Sequence, residues 1–219
     1  MNLGTVLSTN IGAAVSTMHS SEPVTGHDKQ PVEKLQVADP GGQTEGSGSG
    51  VAGDFIGDLK HHGGSTQAVY AVSQSELDFW SAQLGRELLP GMFAENLTVA
   101  GFDVDEAPIG QQWQVGEDVT LEVASVRIPC RTFAGHLGEK QWVKRFSQHG
   151  RPGAYLAVVQ PGTIRPGDTI VAVRTPEHGL TVRDMFAALM GDKDRARALL
   201  DSGSLLEFEQ ARVQRKAGL

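Results

Sequence analysis

What most constrains this chain is the change of character at Thr175-Pro176. Before it, short apolar runs alternate with glycine and proline; after it, apolar residues recur at helical spacing. Val119 to Val126 sets Val119, Leu121 and Val123 on one face against Thr120 and Glu122 on the other, the pattern of a half-buried strand. Leu3 to Asn10, Gln67 to Val72, Leu97 to Ala100, Ala154 to Gln160 and Thr169 to Arg174 read as further strands. Two helices interrupt them. One opens on a capping box, Ser73-x-x-Glu76, runs through Leu77, Trp80, Leu84 and Leu88, and stops at Pro90-Gly91. The other spans Glu139 to Gln148, with Trp142, Val143 and Phe146 on one side and Gly150 as its stop. Past Pro176, Thr181-x-x-Asp184, Asp192 and Ser204-x-x-Glu207 mark three short helices. The expected architecture is a β-rich body over residues 1–175 and a small three-helix unit over 177–219. Pro40 to Gly50 has too little apolar surface to offset its ordering entropy and reads as a mobile insertion.

Charge and cysteine count then exclude whole classes of function. Nineteen basic against 26 acidic side chains give a net charge of −7, the wrong sign for a phosphate-backbone binder, so no nucleic-acid partner is expected. No run approaches the ~18 apolar residues of a membrane span. The first basic residue is Lys29, so the start lacks the basic region of a secretory signal, and a cytoplasmic location is expected. Cys130 is the only cysteine, which removes intramolecular disulfides and CxxC metal frames.

Three stretches carry candidate chemistry. Cys130 sits in Arg127-Ile128-Pro129-Cys130-Arg131, where Pro129 stiffens the exit from a strand and two arginines favour thiolate. It is either a reactive thiol or a small buried hydrophobe at a strand end. In His61-His62-Gly63-Gly64 the glycines suit an anion-binding nest or an ordinary turn. Asp54 and Asp58 stand at a spacing that would orient an imidazole. Glu95-Asn96-Leu97-Thr98 places Asn96 before a strand, either to read a heterocycle edge or to form an Asx turn. Lys29 and Lys60 are isolated cations that either meet a phosphate or are solvated.

The order of these motifs resembles the MOSC domain, named for the C-terminal domain of molybdenum cofactor sulfurases. The matching series is Lys29-Gln30-Pro31-Val32, Gly53-Asp54 through Asp58 to His61-His62-Gly63-Gly64, Gln67-Ala68-Val69-Tyr70 and Pro90 to Thr98. It continues with Ile109-Gly110, Arg127-Ile128-Pro129-Cys130, Gly150 to Tyr155 and Gly167-Asp168. The resemblance covers roughly residues 1 to 175, and the remainder looks like the three-helix extension of small free-standing bacterial members. It implies a mainly β fold with α, a closed mixed-strand β-barrel with peripheral helices.

It also implies binding of the molybdenum cofactor, with Cys130 as molybdenum ligand and Cys130, His61 and His62 as catalytic residues. Lys29, Asp58, Gly63, Gly64, Glu95, Asn96, Thr98 and Arg127 are the implied cofactor contacts. The implied activity is reduction of N-hydroxylated compounds such as hydroxylamino base analogues. A separate flavoprotein or ferredoxin-type donor would supply electrons, since no flavin or iron–sulfur motif occurs. The alternative is a carrier that holds sulfur as a Cys130 persulfide. A monomer or homodimer is expected. Between Phe93 and Glu95 the family usually has glycine; Ala94 stands here, and a left-handed backbone at that point would be strained. Ser125-Val126-Arg127 replaces the usual Gln-Pro-Arg, and Ala157 stands where many small members have arginine.

Overall fold

The structure, a computed structural model, describes residues 2–43 and 46–219. In chain order its strands and helices are β1 (Asn2–Gly12), β2 (Val15–Ser16), β3 (Val24–Thr25), β4 (Lys29–Val32), β5 (Leu35–Val37), β6 (Val69–Ser73), α1 (Gln74–Leu84), β7 (Leu97–Ala100), β8 (Gln112–Val115), β9 (Val119–Val126), α2 (Arg131–Leu137), α3 (Trp142–His149), β10 (Ala154–Gln160), β11 (Gly162–Ile164), β12 (Thr169–Arg174), α4 (Val182–Leu189), α5 (Lys193–Asp201) and α6 (Glu207–Ala217). Seven strands close a barrel in the order β12-β8-β9-β10-β6-β7-β1, and β1 pairs back to β12. Only β6 and β7 run parallel, because α1 crosses between them; the other pairs are antiparallel, so the barrel is mixed.

β1 serves three partners in succession along its 11 residues. Its start pairs β12, its middle pairs β7, and its end leaves the ring to pair β4, with Gly12 opposite Lys29. That last register carries Lys29 to the site described below. Alternation on β9 is as expected, with Val119, Leu121 and Val123 buried inside, but Ala124 to Arg127 are all buried because helices cover that end. β6 is buried on both faces. Val69 and Ala71 join the barrel core, while Tyr70 and Val72 face a second cluster with Leu77, Trp80, Phe93, Phe133, Trp142 and Phe146. Edge-to-face contacts among these rings pin α1, α2 and α3 to the barrel.

The helical tail packs into the barrel's own core through Met185, Phe186, Leu199, Val213 and Ala217. Thr181 and Asp184 form the reciprocal capping box, and Asp192 accepts from the Asp194 and Arg195 N–H groups. Ser204 does not cap: α6 starts at Glu207, behind Leu206. Ser73 does not cap either. Its Oγ accepts from the Val104 N–H at 2.8 Å, and Glu76 is drawn to Arg151 and to His149, at 2.7 Å from the latter. α1 ends at Gly85 in the left-handed region, ahead of Pro90-Gly91.

Residues 44–45 of the expected insertion lie outside the described residues, and backbone hydrogen bonds tie its far end to the strands around it. Ala38 and Gly50, Gly50 and Ala68, and Gly64 and Gly48 are joined by backbone hydrogen bonds, each 2.9 Å. No helix among the described residues is long and apolar enough to cross a membrane.

Candidate active site

Cys130 leaves β9 on Pro129 and opens α2. Its backbone is extended and its Sγ accepts from the Phe133 N–H at 3.5 Å. Because Phe133 is wholly buried among aromatic rings, the turn that carries the sulfur is fixed from behind. The thiol is half-buried and lines an open cavity of about 710 Å³, together with His61, His62, Tyr155 and residues of α6. A smaller inner cavity of about 90 Å³ adjoins it, lined by His27, Lys29, Asp54, Asn96 and Arg127. Asp58, His62 and Tyr155 wall both.

Arg127 is the electrostatic centre of the inner cavity. It is 5% exposed, yet among the described residues it forms no ion pair. Its guanidinium lies 3.9 Å from the Phe133 ring centroid and 5.1 Å from that of Tyr70. Nη1 donates to the Phe93 carbonyl, and Nη2 meets His27 Nε2 at 3.0 Å. Arginine only donates, so His27 Nε2 is the acceptor and its Nδ1–H donates to Thr25 Oγ1 at 2.7 Å. Burial, then the Arg127 charge, push the His27 pKa down to about 2.

Unfolded, His27 takes a proton near pH 6.5; folded, it stays neutral to about pH 2, so stability falls as pH drops below 6.5. Between pH 6.5 and 4.5 this amounts to about 2.5 kcal/mol. His27→Gln, which keeps an acceptor for Arg127, is expected to flatten the acid limb of stability by about that much, read from urea midpoints across the range.

The paired histidines separate. His61 is exposed, with Nδ1 2.8 Å from Asp58 Oδ2. Burial opposes the Asp58 carboxylate, but the His61 ring outweighs it and holds the carboxyl below its ordinary value. His62 lies deeper; burial, then Arg127, depress its pKa to about 4. It is therefore neutral at pH 7, whereas His61 faces solvent beside the Asp58 carboxylate.

Several expected cofactor contacts are occupied within the protein. The Lys29 ammonium lies 2.5 Å from each Asp54 carboxylate oxygen, buried with it. Asp54 also accepts from the Gly12 N–H at 2.8 Å, Ser49 Oγ at 3.0 Å and Asn96 Nδ2 at 3.1 Å. Asn96 spends its remaining groups on the Tyr70 N–H and the Asn10 carbonyl. It is a tie between strands, neither a free heterocycle reader nor an Asx turn. Glu95 accepts from the Gly91 and Phe93 N–H groups and from Thr98 Oγ1, and neither Glu95 nor Thr98 lines either cavity. Burial, partly offset by these donors, raises the Glu95 pKa. Glu95 and Thr98 brace the loop behind the site.

Gly63 and Gly64 are required by packing. A Cβ on Gly63 would lie 2.7 Å from the Gly48 oxygen, and one on Gly64 would lie 2.9 Å from the Gln43 backbone. The Gly64 N–H is already bonded to Gly48, which removes it from an anion nest.

Ala94 has φ 57°, in the left-handed region that strains any residue with a Cβ. Ala94→Gly is expected to raise stability by about 1 kcal/mol, measured as a higher unfolding midpoint. His27, Tyr155 and the α6 cations lie in the cavities and were absent from the sequence-based set. Of these, Tyr155 closes the Gly150 to Tyr155 motif and His27 stands two residues before Lys29, while the α6 cations had no such signal.

The site is thus a closed mixed barrel with the Cys130 thiol in a cavity wall beside the buried Arg127 guanidinium. Residues 58–171 match the family model of the MOSC domain. A Bacillus subtilis (strain 168) protein described as "Uncharacterized protein YflK" is 32% identical over 179 residues, covering 81% of this chain and 77% of its own. A Gibberella moniliformis (strain M3125 / FGSC 7600) protein named "Reductase" is 31% identical over 133 residues; that match covers 59% of this chain and 24% of the fungal protein. YiiM from Geobacillus stearothermophilus shares the fold with a TM-score of 0.75 at 22% identity, covering 97% of this chain and 98% of that one. YiiM from Escherichia coli does so with a TM-score of 0.68 at 20% identity, covering 88% and 89%. The chain belongs to the MOSC domain family, which is associated with molybdenum cofactor binding.

Proposed function

We propose that the protein binds the molybdenum cofactor across the two cavities and reduces the N–O bond of small N-hydroxylated compounds. The observation that carries this reading is a half-buried thiol in a cavity wall that adjoins a buried guanidinium without a carboxylate partner. The donor set fits the group. Among the described residues no three His, Cys, Asp or Glu side chains gather to hold a metal, so a metal at Cys130 must arrive with other ligands of its own. A soft thiolate suits molybdenum already held by dithiolene sulfur. When bound, the cofactor supplies a metal centre able to pass electrons to the substrate.

The protein's own residues do the rest. Cys130 is the metal ligand, and Arg127 holds an anionic part of the cofactor at the price of its own desolvation. The Lys29–Asp54 pair and Asn96 fix the inner wall. Reduction of R–NHOH to R–NH2 and water consumes two electrons and two protons. His61, oriented by Asp58 and open to solvent, carries protons to the cavity, while neutral His62 offers a hydrogen bond to the substrate. Electrons come from a separate flavoprotein or ferredoxin-type donor. That one relative is named "Reductase" supports the reaction class.

The test is metal and pterin analysis of protein from a cofactor-competent host, with turnover of an N-hydroxylated compound by wild type and Cys130→Ala. The reading expects bound molybdenum and turnover that disappears in the alanine variant. Undiminished turnover by Cys130→Ala with metal bound would overturn it. A labile sulfur adduct in the intact mass, with no turnover, would support a sulfur carrier instead. His61→Gln is expected to lower kcat by roughly a hundredfold while leaving molybdenum content intact, the scale of a lost general acid.

A further inference from the structure

We propose that the outer cavity takes a phosphate-bearing substrate and that α6 supplies the cations that hold the phosphate. This rests on the reductase reading above and names its substrate class. The chain as a whole carries −7, yet the outer cavity has the opposite polarity. Lys60, Arg131, Arg212, Arg215 and Lys216 line it, and among the described residues Asp58 is the only carboxylate in its wall. Asp58 is already engaged by His61. Lys60, Arg131, Arg215 and Lys216 form no ion pair among the described residues.

The helix that carries three of these cations is held from behind, and Arg212 pairs with Glu209 at 3.2 Å. Glu209 of α6 is wholly buried and accepts from Thr66 Oγ1 at 3.0 Å, while Arg212 donates to Ser125 Oγ on β9 at 3.0 Å. Val213 and Ala217 anchor the helix in the barrel core. Phe208, Arg212, Arg215 and Lys216 therefore fall on one face, at spacings of four, three and one, and all reach the cavity. Gathering like charges on one wall is unfavourable without a counter-anion. Two further features narrow the occupant. The inner cavity has its own buried cation in Arg127, so an anionic group there does not need the outer set. The outer space of about 710 Å³, shared with the cofactor, is of a size for a small phosphate-bearing molecule.

The test compares an N-hydroxylated purine nucleoside with its 5′-monophosphate on the cofactor-loaded protein, and on Arg215→Gln/Lys216→Gln. For wild type, kcat/KM is expected to favour the monophosphate by about tenfold through KM, with the advantage shrinking as salt rises. The double variant is expected to lose most of that ratio. Calorimetric binding of the same two compounds, without turnover, should show the same preference in wild type and its loss in the variant. Equal handling of the two compounds by wild type would overturn the proposal. So would loss of bound pterin from the double variant, which would assign these cations to the cofactor's own phosphate. Preferential binding of the monophosphate without any turnover would uphold the phosphate site and sink the reductase reading instead.

Discussion

Asp54→Ala is expected to destabilise the protein by roughly 3–5 kcal/mol, the cost of breaking a buried ion pair by removing one partner. The Lys29 and Asp54 side chains are 7% and 2% exposed, so the alanine variant strands an ammonium away from water. It also leaves the Gly12 N–H, Ser49 Oγ and Asn96 Nδ2 without their shared acceptor. Urea unfolding measures the loss, and a double variant separates its causes. Lys29→Met with Asp54→Asn removes both charges but keeps a carbonyl oxygen for the three donors, and it should recover more than half of the stability. A cost below about 1 kcal/mol for the single variant would show that the pair is not the keystone of the inner wall.

Arg127→Met has the opposite sign in the empty protein. An unpaired buried guanidinium is costly, and methionine of similar length fills the slot between Tyr70 and Phe133. Loss of the donor to the Phe93 carbonyl works against the gain. The net expectation is a cofactor-free protein more stable by about 1 kcal/mol, as happens where a residue is kept for function at the expense of stability. Cofactor retention should fall about a hundredfold or more, since charge-assisted contacts to an anion contribute ~1.5–3 kcal/mol each. Pterin content after gel filtration and the thermal midpoint of the cofactor-free form read the two effects separately. A variant that is destabilised yet keeps its pterin would make Arg127 a structural residue.

Strands whose apolar residues alternate were legible from the sequence. β10 and β12 begin and end where composition places them, and β9 alternates as expected. What was not legible depends on partners distant in sequence. α2 carries a glycine in its middle, and only the structure shows why: a Cβ on Gly135 would collide with His19, whose carbonyl accepts from Arg131 and Thr132. Ser73 and Glu76 have the spacing of a capping box, but Val104 and Arg151 compete for them through the fold and win.

The same distinction holds at the site. Motif order brought Cys130, His62, Asp58 and Arg127 to one place, because these residues lie on loops and strand ends that converge at one mouth of the barrel. It did not separate groups that face the cavity from those that support it, as with Glu95, Thr98 and Gly64. That division depends on which hydrogen bonds are already satisfied, which no local spacing encodes. The α6 cations read as an ordinary amphipathic surface until the buried Glu209 shows which face turns inward.

X-ray absorption at the molybdenum edge tests the central claim most directly, with wild type and Cys130→Ser loaded in the same host. If the Cys130 sulfur ligates the metal, the serine variant loses one sulfur neighbour and gains a lighter one. An identical sulfur shell in the two proteins would contradict the account.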